Sequence, residues 1–168
     1  LIPGLTDIHF HGSVGQDFCD GSHEPFEAMA VYVASQGVTT IVPAAMTLGR
    51  DTLKKICEAA GSYKSDKGAI LCGINMEGPF IAMERKGAQN GDFVHKPDAE
   101  MFRELNKASG GIVKLLAIAP EVEGAKECIE GLKDEVVLSV AHTMADYEQA
   151  NDAFEHGVHH VAHLYNAM

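Results

Sequence analysis

Histidine and glutamate recur where apolar runs of this chain end, and those residue types suit metal ligation. His9 and His11 stand two apart at the end of the run Leu5 to His11. Glu77 closes the run Ala69 to Glu77, His142 closes Val136 to His142, and His163 closes Val158 to His163. Imidazole nitrogen and carboxylate oxygen are the donors expected for zinc, iron or manganese. Three or more of them that leave a coordination position open describe a catalytic rather than a structural site. Because strand side chains alternate between faces, His9 and His11 are expected to project to one side. Taken singly, each residue reads more simply as a hydrogen-bonded or solvated polar group. Their shared position at the same end of four runs is what argues for a joint site. His23, His95, His156, His159 and His160 fall at helix termini, in loops or at the start of the last run. They read as structural or solvent-exposed, with His159 or His160 able to face an interior.

Six apolar runs must position these residues: the four above, Thr39 to Ala45, and Val113 to Ala119. Between them the period changes. Phe26, Met29, Ala30, Val33 and Ala34 repeat at helical spacing, with Ser22 and Pro25 suited to the start of a helix and Gly37 to its end. Leu53, Ile56, Cys57 and Ala60 before Gly61 repeat the pattern, as do Met101, Phe102, Leu105 and Ala108 before Gly110. A later helix is expected from a capping-box-like start at Thr143 and Asp146, with Tyr147, Ala150 and Phe154 inward before Gly157. Strand runs alternating with helices are the sequence form of βα units on a parallel sheet. The longest stretch without periodicity, Gly78 to Lys96, reads as a functional or disordered loop. Length alone favours an open doubly wound sheet, since six units fall short of a closed eight-stranded barrel. The ligand positions favour a barrel, in which the carboxyl ends of all strands converge on one mouth. A nucleotide-binding open sheet also needs G-x-G-x-x-G after its first strand, and Gly12-Ser13-Val14-Gly15-Gln16-Asp17 is not that motif.

The chain has 168 residues, 46% of them hydrophobic, and its 13 Lys and Arg against 24 Asp and Glu give a formal charge of −11. An acidic surface without a basic cluster excludes a protein that wraps nucleic acid or lies on an anionic membrane. No apolar run is long enough to cross a bilayer, and Leu1-Ile2-Pro3-Gly4 lacks the features of a secretion signal, so a cytoplasmic protein is expected. Cys19, Cys57, Cys72 and Cys128 form no C-x-x-C pair and read as buried reduced thiols.

Several segments together carry a family resemblance. They are Met76-Glu77-Gly78-Pro79-Phe80-Ile81, Lys86-Gly87-Ala88-Gln89-Asn90, Ala119-Pro120-Glu121, Ala141-His142-Thr143, and Ala162-His163-Leu164-Tyr165-Asn166-Ala167-Met168. With Pro3-Gly4-Leu5-Thr6-Asp7-Ile8-His9-Phe10-His11-Gly12 at the start, the chain resembles the N-acetylglucosamine-6-phosphate deacetylases of the amidohydrolase superfamily from end to end. The resemblance implies removal of the acetyl group from a phosphorylated amino sugar by a divalent metal, with Glu77, His142 and His163 as ligands of the principal ion. Members with His at the positions of His9 and His11 can hold a second ion, which implies a site of one or two metals bridged by Glu77. It further implies that Ala88 and Gln89 touch the sugar and that Asn166 and Ala167 offer polar groups to the 6-phosphate. Asn166 also reads as a helix N-cap, which is compatible with an anion site.

The family's general acid is an Asp at the end of an eighth strand, and Asp7, Asp17, Asp20 and Asp146 do not match its motif. The fold class implied is therefore α/β, an incomplete (β/α)8 barrel of about six units, with residues 1–168 as a partial catalytic domain. The last two units, the small β-rich domain and the later phosphate clamp are expected to lie outside it. The 168 residues alone are expected not to release acetate, and the full-length protein is expected to be a homodimer. Alternatives are another hydrolase or deaminase of the superfamily, or a non-catalytic metal-binding barrel fragment.

Overall fold

The computed structural model describes residues 2–165 of the chain. Asn166 and Ala167, the expected phosphate contacts, lie outside the described residues. In chain order the elements begin with β1 (Leu5–Asp7), β2 (Gly12–Ser13), β3 (Gln16–Asp17), α1 (His23–Ser35), β4 (Val38–Ile41), β5 (Ala44–Ala45) and α2 (Arg50–Ser62). They continue with β6 (Ile70–Leu71), β7 (Ile74–Phe80), α3 (Ala99–Ala108), β8 (Val113–Ile118), α4 (Ala125–Leu132), β9 (Val137–Val140), α5 (Tyr147–His156) and β10 (His160–Val161). Each of the six apolar runs contains a strand, and the strand pairs joined through helices are parallel, as the βα reading expects.

Two compact units divide these elements. The first takes the chain up to Ala45 with Arg50–Asn75 and Glu104–Lys114. Its sheet has the order β1-β4-β6, with Asp7 opposite Ile41 and Ile41 opposite Leu71. Helix α1 closes over that sheet: Ala30, Val33, Ile41 and Ala69 are buried together, with Phe10, Val38 and Leu71 packed against them. The phenyl rings of Phe18 and Phe26 stack at 4.9 Å, anchoring the turn before α1 to the helix itself.

The second unit takes Met46–Gly49, Met76–Arg103 and the chain from Leu115. Its strands run in the order β10-β9-β8-β7, with Ile118 opposite Val140 and Val140 opposite Val161. All seven residues of β7 are buried. A parallel strand covered on both faces carries such a continuous run rather than an alternating one. Ala117, Ala141 and Ala162 form a buried cluster of small side chains. Ala141 and Ala162 each stand one residue before a histidine of interest, so the backbones approach closely where those histidines leave the sheet.

Three local expectations are corrected. Helix α5 is capped by Asp146, whose carboxylate accepts from Gln149 N while the Gln149 side chain returns to Asp146 N, so the helix starts after Asp146 and not at Thr143. Its expected inward face is wrong: Tyr147 and Phe154 are exposed and Ala153 is the buried residue. Helical spacing marks a stripe without saying which side of it meets the core; α5 packs against α4, and the residue it buries is Ala153. Cys72 is exposed and Cys19 half-buried, whereas Cys57 and Cys128 are buried as expected. Helix α4 was not singled out from the sequence, although Ala125, Cys128, Ile129 and Leu132 bury the same i, i+3, i+4, i+7 stripe.

Candidate metal centre

Glu77 does not close its strand, because β7 continues to Phe80, and the carboxylate therefore projects from inside a buried strand. Its side chain is 3% exposed. Removing a carboxylate from water costs several kcal/mol unless charge or hydrogen bonds compensate it, so the surroundings of Glu77 must supply both. His142 and His163 are found in the turns that follow β9 and β10 rather than in the strands, with φ of 47° and 56°. A non-glycine residue in the left-handed region is uncommon, although histidine is enriched there. That backbone geometry turns both rings toward the strand that carries Glu77.

The three side chains converge. Glu77 Oε1 lies 3.1 Å from His142 Nε2 and 2.6 Å from His163 Nε2. The two imidazole rings meet edge to face with centroids 5.2 Å apart. His142 Nδ1 donates to the carbonyl of Arg85 at 2.8 Å, so in the neutral ring Nε2 carries the lone pair and aims it at the carboxylate. A lone pair held against a carboxylate oxygen requires a cation between them, a proton or a metal ion. Donor atoms around a four-coordinate zinc stand roughly 3.3 Å apart at bond lengths of about 2.0 to 2.1 Å, so the His142 pair is already near that spacing. The Glu77, His142 and His163 donor atoms all lie within 4.8 Å of one another. This donor set fits a divalent ion.

The backbone around these ligands is held from several sides. Ala82 N donates to the His142 carbonyl at 2.9 Å. The turn after His142 is clasped by Glu121, which accepts from Thr143 Oγ1 and from Met144 N. The second oxygen of Glu77, Oε2, accepts from Gln89 Nε2 at 2.8 Å, and Gln89 Oε1 accepts from Thr47 N at 2.6 Å. Thr47 Oγ1 in turn donates to the Glu77 carbonyl at 3.3 Å. Thr47 and Gln89 are both buried. Of the expected sugar contacts, Ala88 is exposed in the loop and Gln89 is directed inward.

His9 and His11 belong to the first unit, past the end of β1 and not within it. Strand alternation is therefore not what places them. Their rings nevertheless pack edge to face, with centroids 5.5 Å apart. His11 Nδ1 donates to the Ala44 carbonyl at 3.0 Å, and Asn75 Nδ2 lies 3.3 Å from His9 Nδ1 while also donating to the Ile8 carbonyl. Such contacts to the far nitrogen fix ring orientation in metal-binding histidines. Of the other histidines, His23 bonds to Ala59 O and Ser62 Oγ, His95 to Lys96 O, His156 to Asp152 O and His160 to Ser139 Oγ, while His159 is exposed.

The contacts of Thr47 and Glu121 are not legible in the sequence. Glu121 was visible as part of Ala119-Pro120-Glu121, but nothing in that segment reveals its partners at Thr143 and Met144. Thr47 lies in a connection with no periodic signal at all.

Comparison with known proteins adds independent findings. The model of the amidohydrolase family matches residues 1–168. The N-acetylglucosamine-6-phosphate deacetylase of Bacillus subtilis is 35% identical over 174 residues, covering 100% of this chain and 44% of the relative. The crystal structure of N-acetyl-D-glucosamine-6-phosphate deacetylase from Mycobacterium smegmatis superimposes with a TM-score of 0.92 at 32% identity, over 99% of this chain and 44% of that one. A variant of that enzyme in complex with N-acetyl-D-glucosamine-6-phosphate gives a TM-score of 0.89 at 31% identity, with the same coverage of both chains. The chain thus spans less than half the length of the relatives it matches, and its fold class is that of their metal-dependent hydrolase barrel.

Proposed function

The chain belongs to the amidohydrolase family, and on that footing we propose that it carries the ion-binding part of an N-acetylglucosamine-6-phosphate deacetylase. The reaction is hydrolysis of the acetamide to glucosamine 6-phosphate and acetate. The observation that carries this reading is the convergence of Glu77, His142 and His163 on one point, with the His142 lone pair aimed at a buried carboxylate. Relatives named for this activity support it along the whole of the chain.

When bound, a divalent ion there supplies a water-derived nucleophile near neutral pH and polarisation of an amide carbonyl. The protein's part is to hold that chemistry in place. Glu77 contributes negative charge from a strand that excludes water, and His142 and His163 contribute neutral nitrogen donors. The Arg85 carbonyl keeps the proton of His142 on Nδ1, leaving Nε2 as the ligating atom. His9 and His11 form a second pair of nitrogen donors, available to a second ion. Ala88 offers an exposed backbone position to the sugar, and Asn166 with Ala167 offers polar groups to the phosphate. The reading includes a homodimer in the cytoplasm.

Acetate release from N-acetylglucosamine 6-phosphate by the full-length protein tests the proposal. Activity is expected, with loss on chelation and return on adding a divalent ion. Release of ammonia from amine-bearing substrates in place of acetate would assign a deaminase. Retention of metal without any turnover would assign a non-catalytic metal-binding protein.

A further inference from the structure

We propose that Gln89 is a positioning residue that holds the Glu77 carboxylate in its ligating orientation, and that it acts on the ion through Glu77 rather than by touching the sugar. The inference rests on the reading of Glu77, His142 and His163 as ligands. Gln89 is 2% exposed. Both ends of its amide are committed to buried partners, Nε2 to Glu77 Oε2 and Oε1 to Thr47 N. Those partners also fix which end of the amide is which, because a backbone N–H needs the oxygen and a carboxylate needs the amino group.

The loop presents the side chain rigidly. Gln89 N donates to the Lys86 carbonyl at 2.9 Å, and Lys86 Nζ returns to the Gln89 carbonyl at 3.2 Å. One residue on, Asn90 accepts from Asp92 N and caps the following turn. Thr47 completes a ring of contacts by bonding to the Glu77 carbonyl through Oγ1. The carboxylate is therefore oriented at both oxygens: Oε1 faces the two imidazoles, and Oε2 is fixed by an uncharged donor. A neutral amide suits that place, because it orients the carboxylate without cancelling the charge that attracts a cation. Partners of metal ligands typically contribute 10- to 100-fold to metal affinity.

The test is zinc affinity, measured by chelator competition on the full-length protein after metal removal. Gln89→Leu removes the donor. Gln89→Asn keeps an amide but shortens the arm by one methylene, so a folded variant remains available if the first does not fold. Gln89→His restores an N–H donor. Both Gln89→Leu and Gln89→Asn are expected to weaken zinc binding tenfold or more, with Gln89→His recovering most of the loss. Zinc affinity within twofold of the parent in whichever of the Gln89→Leu and Gln89→Asn variants folds, with the change confined to KM for the sugar phosphate, would overturn the inference and make Gln89 a sugar contact. Absence of zinc binding by the unmodified protein would instead overturn the ligand assignment on which it rests.

Discussion

Gly78 follows Glu77 directly, and its replacement by alanine probes how tightly the strand that carries Glu77 is fitted to its neighbours. Its φ is +127°, where side-chain-bearing residues are strained. A Cβ built there falls 2.1 Å from Thr47 Oγ1 and 3.2 Å from Thr47 Cβ, so the new methyl overlaps the buried threonine. Backbone strain of this kind costs about 1 to 3 kcal/mol. Overpacking a filled site costs a further 1 to 3 kcal/mol or so. Gly78→Ala is therefore expected to destabilise the full-length protein by about 2 to 6 kcal/mol.

The two contributions separate in a double-mutant cycle. Thr47→Ala alone loses the bond from Oγ1 to the Glu77 carbonyl, worth about 0.5 to 1.5 kcal/mol. In that background the worst overlap is gone and Gly78→Ala retains chiefly its backbone cost. The two substitutions should therefore couple by about 1 to 3 kcal/mol, the double variant being more stable than the sum of the singles predicts. Urea unfolding of the four proteins measures this directly. Additivity within about 0.5 kcal/mol, the behaviour of independent sites, would refute the contact between Thr47 and Gly78 and with it the tight seating of Glu77.

Zinc at about 100 times its dissociation constant is expected to stabilise the protein by about 2.7 kcal/mol, read as a rise in Tm that Glu77→Gln abolishes. Thr143→Val removes the hydroxyl that donates to Glu121. It should weaken zinc binding several-fold by loosening the turn of His142, while a Thr143→Ser variant keeps the parent affinity. Thiol reagents should label Cys72, which is exposed, and spare the folded-state Cys57 and Cys128. Burial pushes the Cys57 thiol up to about 12 and the Cys128 thiol up to about 11, leaving almost no thiolate at pH 8; mass mapping of the labelled peptides would check it.

The sequence disclosed the elements more fully than their junctions. Short runs of Val, Ile and Leu bounded by helical spacing mark the six strand regions, whether covered throughout as in β7 or largely exposed as in β1. The ligands were legible for a related reason: a histidine or glutamate at the edge of such a run breaks its chemistry conspicuously. The backbone that aims them was not. His142 and His163 occupy left-handed turns, a conformation that local pattern does not announce for a residue other than glycine. Strand alternation points to His9 and His11 as a pair, although β1 ends at Asp7, before them. Gln89 was visible, yet its orientation depends on Thr47, 42 residues away, and no periodicity carries a hydrogen bond across such a distance. The error at α5 has the same origin, since Tyr147 and Phe154 share a stripe whose outward orientation is fixed by the neighbouring helix.

If Glu77 ligates an ion as proposed, a strand that buries its carboxylate among seven covered residues ties the life of the polypeptide to the supply of that ion. Without a metal ion, the burial of the Glu77 carboxylate is compensated by a proton shared with the imidazoles and by hydrogen bonds such as that from Gln89, and opening β7 would relieve whatever cost is left. Molecules made under metal scarcity would expose this strand more often, and a protease would cleave them sooner. The amount of protein in a starved cell, and not only the activity per molecule, would then record how much metal was available when it folded.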